Sequence, residues 1–259
     1  MDVTELRAFY DSPLGGTVRR LLRERIRTRW TKVSGEVVIG LGFATPYLSP
    51  FRGEAAAIGA LMPAAQGVLT WPAQGPRLAA LVEEDALPLS DSSVDRLLMV
   101  HSLELAEQER PLLREVWRVL KPEGRLLVIA PNRRGPWARF DTTPFGHGRP
   151  YSRGQLERLL LGTMFGPVGW SSALMMPPLD WRIVRRYGPA IERSGTRMWP
   201  AFAGVNLVEA RKELVAPIAV HRRLGGVRQV RPFRAAPATP LAAREGEPDG
   251  GDGSGPRRE

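Results

Sequence analysis

At 259 residues with 43% apolar content, the chain is long enough for one sizeable domain with a buried core. It has no cysteine, which excludes a disulfide scaffold, a thiolate zinc site and a cysteine nucleophile, and its three scattered histidines give no basis for a structural metal. The net charge of +10 is carried almost entirely by arginine and favours nonspecific attraction to polyanions, or records genomic base composition.

In chain order, the first feature is a helical repeat. Leu14, Val18, Leu21, Leu22, Ile26 and Trp30 recur at helical spacing, with Arg19, Arg20, Arg23, Arg25, Arg27 and Arg29 between them. An amphipathic, basic helical segment is therefore predicted within residues 1–32. Its apolar stripe reads as core, and its arginine face as solvated or as a contact for RNA or anionic lipid. Next, Val37-Val38-Ile39-Gly40-Leu41-Gly42 is an apolar run broken by two alternate glycines, the signature of a buried parallel strand running into a turn. In open α/β sheets ligands bind beyond the carboxyl ends of such strands, and backbone approaches a ligand closely only where side chains are missing. Thr45 stands where a dinucleotide fingerprint needs its third glycine, and no Gly-Lys-Ser/Thr follows, so neither common phosphate-binding motif is present. Gly67-Val68-Leu69-Thr70-Trp71-Pro72 reads as the end of a second strand.

Further on, Glu83-Glu84-Asp85 precedes Leu87-Pro88-Leu89 and a polar turn through Asp95. The apolar run Leu97–Val100 then leads to His101-Ser102-Leu103-Glu104, and a helix-period segment ends in Leu120-Lys121-Pro122-Glu123-Gly124 before the run Leu126–Ala130 and Asn132. Over residues 35–132 this order resembles the class I S-adenosylmethionine-dependent methyltransferases with a type-11 methyltransferase domain. The Leu-Pro-Leu to Lys-Pro-Glu-Gly portion is the specific part. The resemblance implies a doubly wound, Rossmann-like α/β sheet, mostly parallel with its last strand antiparallel and helices on both faces. It implies S-adenosylmethionine as cofactor, bound through Gly40, Gly42 and Ala44, with one of Glu83, Glu84 or Asp85 accepting the adenine amino group. Trp71 and His101 complete the cofactor set. Three positions depart from the family: Ala44 replaces its third glycine, Val38 the acid two residues before the first glycine, and Trp71-Pro72 stands where the ribose-binding acid is expected.

Methyl transfer is accelerated mainly by positioning, with a general base only if the nucleophile must lose a proton. His101, just past a strand at the lip where substrates approach, and Asn132, past the next, are the catalytic candidates, each with a plain alternative as a strand-end hydrogen-bonding group. Glu104 reads as a loop-ordering or helix-start carboxylate. The long segment from Asn132 to Ser152, rich in Gly, Pro, Arg and aromatics, reads as a substrate-facing lid. Arg133, Arg134, Trp137, His147 and Arg149, with Arg139, would form its rim, suited to an acidic or phosphate-bearing substrate or simply solvated.

A helix is predicted from Ser152, another over 180–191, and a closing strand over 204–210. The resulting domain spans 33–224, and 225–259 is expected to be a flexible tail. No run reaches membrane-spanning length and the first residues carry no leader pattern, so a cytoplasmic protein is expected. The leading expectation is a methyltransferase acting on a small molecule. The alternatives are a methyltransferase-like binding or regulatory protein that does not turn over, and a basic RNA-binding or RNA-modifying protein.

Overall fold

The computed structural model describes residues 1–179, Glu192 and 202–214. Seven strands build one sheet: β1 (Val37–Gly42), β2 (Ala57–Pro63), β3 (Ala79–Val82), β4 (Val94–Val100), β5 (Leu120–Pro131), β6 (Phe165–Ala173) and β7 (Val205–Lys212). Their order is β3-β2-β1-β4-β5-β7-β6, parallel from β3 to β5, with β7 antiparallel to both of its neighbours. The direction of strand addition reverses between β1 and β4, and the crevice above such a switch point is where open α/β sheets bind ligands.

Alternation along the central strands divides the interior into two cores. Val38, Leu98, Val100, Leu127 and Ile129 face one side, and Ile39, Leu41, Leu97, Met99, Leu126 and Val128 the other. Because both sheet faces are covered, these strands are apolar throughout instead of alternating with polar residues. The first core is roofed by α1 (Val3–Asp11), α2 (Pro13–Arg29) and the short α3 (Thr45–Leu48). The second is roofed by α4 (Glu109–Val119) and α5 (Arg153–Leu161).

The N-terminal segment is two helices. Asp2 caps α1 through a capping box with Glu5, and Ser12 caps α2 with Pro13 at its first position, so the chain turns at Ser12-Pro13. The stripe Leu14, Val18, Leu21, Leu22 and Ile26 is buried, as its spacing predicts, and Leu6 and Tyr10 of α1 join the same core. Ser152 begins α5 with a second capping box, and β7 closes the sheet where the sequence predicts a strand.

The second strand is a correction. It is Ala57–Pro63, in register with Val37–Leu41, and Gly67–Pro72 is loop, with Val68 and Thr70 exposed. Ala-Ile-Gly-Ala-Leu-Met carries few β-branched residues, and its strand character comes from pairing on both edges and burial, which a single-sequence reading undervalues. The helix predicted over 180–191 and the tail from 225 lie outside the described residues, apart from Glu192 just beyond that helix. Among the described residues no helix is long and apolar enough to cross a membrane.

Candidate functional site

At the carboxyl edge, β1 ends against β4. Gly42 has φ +78°, and Phe43 N–H donates to the Val100 carbonyl at 2.8 Å. A Cβ on Gly42 would run into the Val100 oxygen and lie 2.8 Å from Ser102 Cβ; one on Gly40 would lie 2.6 Å from both Ala44 Cβ and Leu48 Cδ1. The first glycine lets two strand ends meet and the second lets α3 sit on the strand, with buried Ala44 at the helix start.

His101 is fully buried, with φ +50°, a backbone region sparsely used by residues other than glycine. Its ring lies between two elements. Nε2 is 2.9 Å from the Tyr10 hydroxyl, and Nδ1 is 3.1 Å from Glu104 Oε1. Tyr47 in turn donates to Tyr10 Oη at 2.9 Å. One proton arrangement satisfies all four groups: Tyr47 donates to Tyr10, Tyr10 to Nε2, and Nδ1–H to the carboxylate. Burial pushes both phenols above their ordinary range, so they remain donors. The Phe43 ring stacks on Tyr10 at 5.4 Å, and Phe145 packs on the His101 ring at 4.8 Å. Gln66, past the end of β2, donates its side-chain amide to the His101 carbonyl, and its backbone carbonyl accepts from Val3 N–H at 2.7 Å. Helix α1 is thus pinned across the ends of β1, β2 and β4. Ser102 Oγ and Glu104 Oε2 are buried there without a partner.

Two of the positions that depart from the family lie around this arrangement. The acid position before the glycines is Val38, sealed in the first core, and β2 runs out through Pro63-Ala64-Ala65-Gln66 without a carboxylate. Beside the glycine turn Tyr10 stacks on Phe43, and the Gln66 amide bonds the His101 carbonyl. Tyr10 and Phe43 thus stand over the glycine turn, and His101 lies beneath Tyr10, not at an open lip. Of the acidic triplet, Glu83 and Asp85 are exposed, while Glu84 is half-buried and its pKa is raised, first by burial and then by the neighbouring acids, Glu107 foremost. Trp71 lies apart from the triplet. It lines a cavity of about 530 Å³ beside the turn, together with Phe43, Arg7, Asp11, Arg19 and Arg23.

The segment 132–152 is ordered. Two short 3-10 turns, 136–139 and 144–146, are anchored by Trp137 and Phe145. Trp137 is a correction: it is fully buried, its indole donating to the Met176 carbonyl at 2.7 Å, so it holds the segment down from inside. Arg133 and Arg134 are exposed, Arg149 pairs with Glu109 at 3.0 Å, and His147 Nε2 is 2.8 Å from the Asp141 carbonyl. Asn132 is buried, donating to the Ala203 carbonyl and accepting from Arg134 N–H, which orients the start of the segment. His147 also lines a cavity of about 650 Å³ between this segment and α1, with Glu5, Phe9 and Asp141. The structure therefore brings together Gly42, His101 and Glu104, leaves Trp71 and the acidic triplet outside that group, and adds Tyr10, Tyr47 and Gln66. Tyr10 stands with Phe9 just before the helical repeat, where the resemblance to the methyltransferases implies a cap over the cofactor site; Gln66 carried no signal.

Residues 39–128 match the family model of the methyltransferase domain. No curated protein matches the chain. Among solved structures, the chain is similar to the [4+2]-cyclase SpnF, with 22% identity, TM-score 0.53, and 76% of this chain and 81% of that one covered. It is similar also to a SAM-dependent methyltransferase from Archaeoglobus fulgidus, with 16% identity, TM-score 0.54, and 75% and 94% covered. A third is geranyl diphosphate C-methyltransferase from Streptomyces coelicolor A3(2), solved with Mg2+, geranyl diphosphate and S-adenosyl-L-homocysteine, with 14% identity, TM-score 0.53, and 74% and 76% covered. The methyltransferase domain model thus covers the core of the sheet from β1 to β5, and the chain shares its fold with S-adenosylmethionine-dependent methyltransferases.

Proposed function

We propose that this chain is an S-adenosylmethionine-dependent methyltransferase acting on a small molecule, and that the form described here is its closed state. The observation that carries the reading is the Gly42 turn wedged against the end of β4, at the switch point of a sheet matched by the methyltransferase domain. Its support is the pair of orphaned polar atoms, Ser102 Oγ and Glu104 Oε2, in that same place. Buried polar groups are nearly always satisfied, so two orphans under a removable helix mark a surface that a ligand completes. His101, already oriented by Glu104, becomes available to hold or take a proton once Tyr10 withdraws.

A second reading is favoured by Val38, by the carboxylate-free end of β2 and by Tyr10 lying over His101: a methyltransferase-like binding or regulatory protein that no longer turns over. Thermal unfolding with excess S-adenosylmethionine or S-adenosylhomocysteine separates the two. Ligand at a hundred times its Kd adds about 2.7 kcal/mol, which raises the midpoint of a domain this size by roughly 5 to 10 °C. That shift is expected. No shift at millimolar ligand, in the full chain and in a Tyr10→Ala variant alike, sinks the methyltransferase reading and leaves the second.

A further inference from the structure

We propose that the groove along the outer face of α2 docks a nucleic-acid strand, held by its phosphates and not by its bases. The starting point is the uneven fate of the arginines on that helix. Arg25 pairs with Glu192 at 3.6 Å and Arg29 with Glu209 at 3.6 Å, so both serve the fold. Arg19, Arg20, Arg23 and Arg27 recur at three- and four-residue spacing and line a groove of about 530 Å³ that runs along α2 from Gly16 and passes Pro50. Arg19 and Arg20 make no hydrogen bond or ion pair among the described residues. Arg23 donates one Nη to the Pro46 carbonyl at 2.6 Å and Arg27 pairs with Glu54 at 2.7 Å. Each nevertheless keeps a buried nitrogen without a partner, Nε on Arg23 and Nη1 on Arg27. Glu24 is the one carboxylate among the described residues of the groove; it is exposed and makes no ion pair. With Glu24 and Glu54 both set against the four arginines, positive charge remains in excess.

Burial, and next the neighbouring Arg19 charge, lowers the pKa of Arg23, so the fold holds a cation where it is disfavoured, and an anion in the groove relieves it. A guanidinium offers parallel donors that match phosphate oxygens, and the unpartnered Nε and Nη1 are such donors. Cations repeated at one-turn intervals, about 5.4 Å apart along the axis, suit an anion that is itself repeated. A phosphodiester strand is one, and a single small anion is not. No aromatic ring and no amide side chain lines the groove among the described residues, so nothing there stacks on a base or reads its edge. The choice of nucleic acid over an anionic bilayer rests on the other face of α2. An interfacial helix lays its apolar side into the lipid, but Leu14, Val18, Leu21, Leu22 and Ile26 are already buried in the first core. Large exposed apolar side chains, among them Val68, Leu81 and Phe202, lie elsewhere, and none of them is on α2. This docking face stands whether or not the chain transfers a methyl group.

Fluorescence anisotropy of the full chain at low salt tests this, with a labelled oligouridylate and a labelled RNA of mixed sequence and equal length as probes. Both are expected to bind within about threefold of each other, and to weaken steeply between about 50 and about 200 mM salt. Arg19→Ala combined with Arg20→Ala is expected to weaken binding about tenfold. It is also expected to make the slope of log affinity against log salt shallower by about 1.4, the share of two phosphates on a single strand. Arg110→Ala combined with Arg114→Ala removes the same charge from exposed positions on α4, on the other side of the sheet, and is expected to change affinity by less than about twofold. Circular dichroism and the unfolding midpoint check that the variants keep the fold. Arg20→Ala alone, at an exposed position, gives a second reading: a loss of about threefold supports the site, and unchanged affinity overturns it. Four other results overturn the proposal: no binding of either RNA at low salt, a strong preference for one sequence, equal losses in the α2 and α4 variants, or affinity for phosphatidylserine vesicles that falls in the α2 variant while RNA affinity does not.

Discussion

Gly42 and His101 lie on adjoining strand ends, and both adopt positive φ. For Gly42 the requirement is steric as well as conformational, since a methyl group would meet the Val100 carbonyl. Gly42→Ala is expected to cost about 2 to 4 kcal/mol, from adding a Cβ at positive φ and from overpacking, read as a lowered urea midpoint with unchanged slope. A loss below about 0.5 kcal/mol would show that the turn relaxes. The pair of alternate glycines was legible from sequence because missing side chains leave a visible gap in an apolar run. What they pack against was not, because Val100, Ser102 and Leu48 reach them only through strand pairing and the α3 turn. His101 was legible as a titratable group after a strand. Its burial was not, since the covering Tyr10 is 91 residues away.

Among the elements, α1 decides what the site does. It is short, docked through Leu6 and Tyr10 on a core and through Val3 N–H on Gln66, and the turn at Ser12-Pro13 frees it from the axis of α2. A ligand that binds only the open form is weakened by the fraction of molecules that are closed. Tyr10→Ala removes the ring stacked on Phe43 and the hydroxyl bonded to His101 and so destabilises closure. Each 1.4 kcal/mol of that loss is a factor of ten in apparent affinity. S-adenosylmethionine is expected to bind this variant at least tenfold more tightly than the parent chain by calorimetry. Equal affinity would mean that α1 does not gate the cleft. The basic helix α2 was evident in sequence from its 3.6-residue period. Helix α1 was not, because its buried positions Val3, Leu6 and Tyr10 give too short a pattern to stand apart from the longer one that follows.

On the scale of the whole molecule, buried phenols tie both cores to pH. Tyr10 and Tyr47 sit in the first core and Tyr151 in the second, and burial raises all three, Tyr151 to about 12. A raised pKa contributes stability that is fully present below the unfolded-state value near 10 and is lost as pH climbs through it toward the folded values. The urea midpoint is therefore expected to hold from pH 7 to 9 and to fall between 10 and 12. Tyr151→Phe should lessen that fall, and an identical profile in the variant would exclude its contribution. The sequence by itself determined the class of fold, because apolar runs, helical periods and the Leu-Pro-Leu to Lys-Pro-Glu-Gly pattern are local and survive being read one residue after another. It also determined the absence of thiol chemistry. Only the tertiary structure decided that Tyr10 lies over His101 and that Trp137 is buried, bonded to the Met176 carbonyl. Both depend on which side chains meet across long stretches of chain, and a linear pattern carries no record of those meetings.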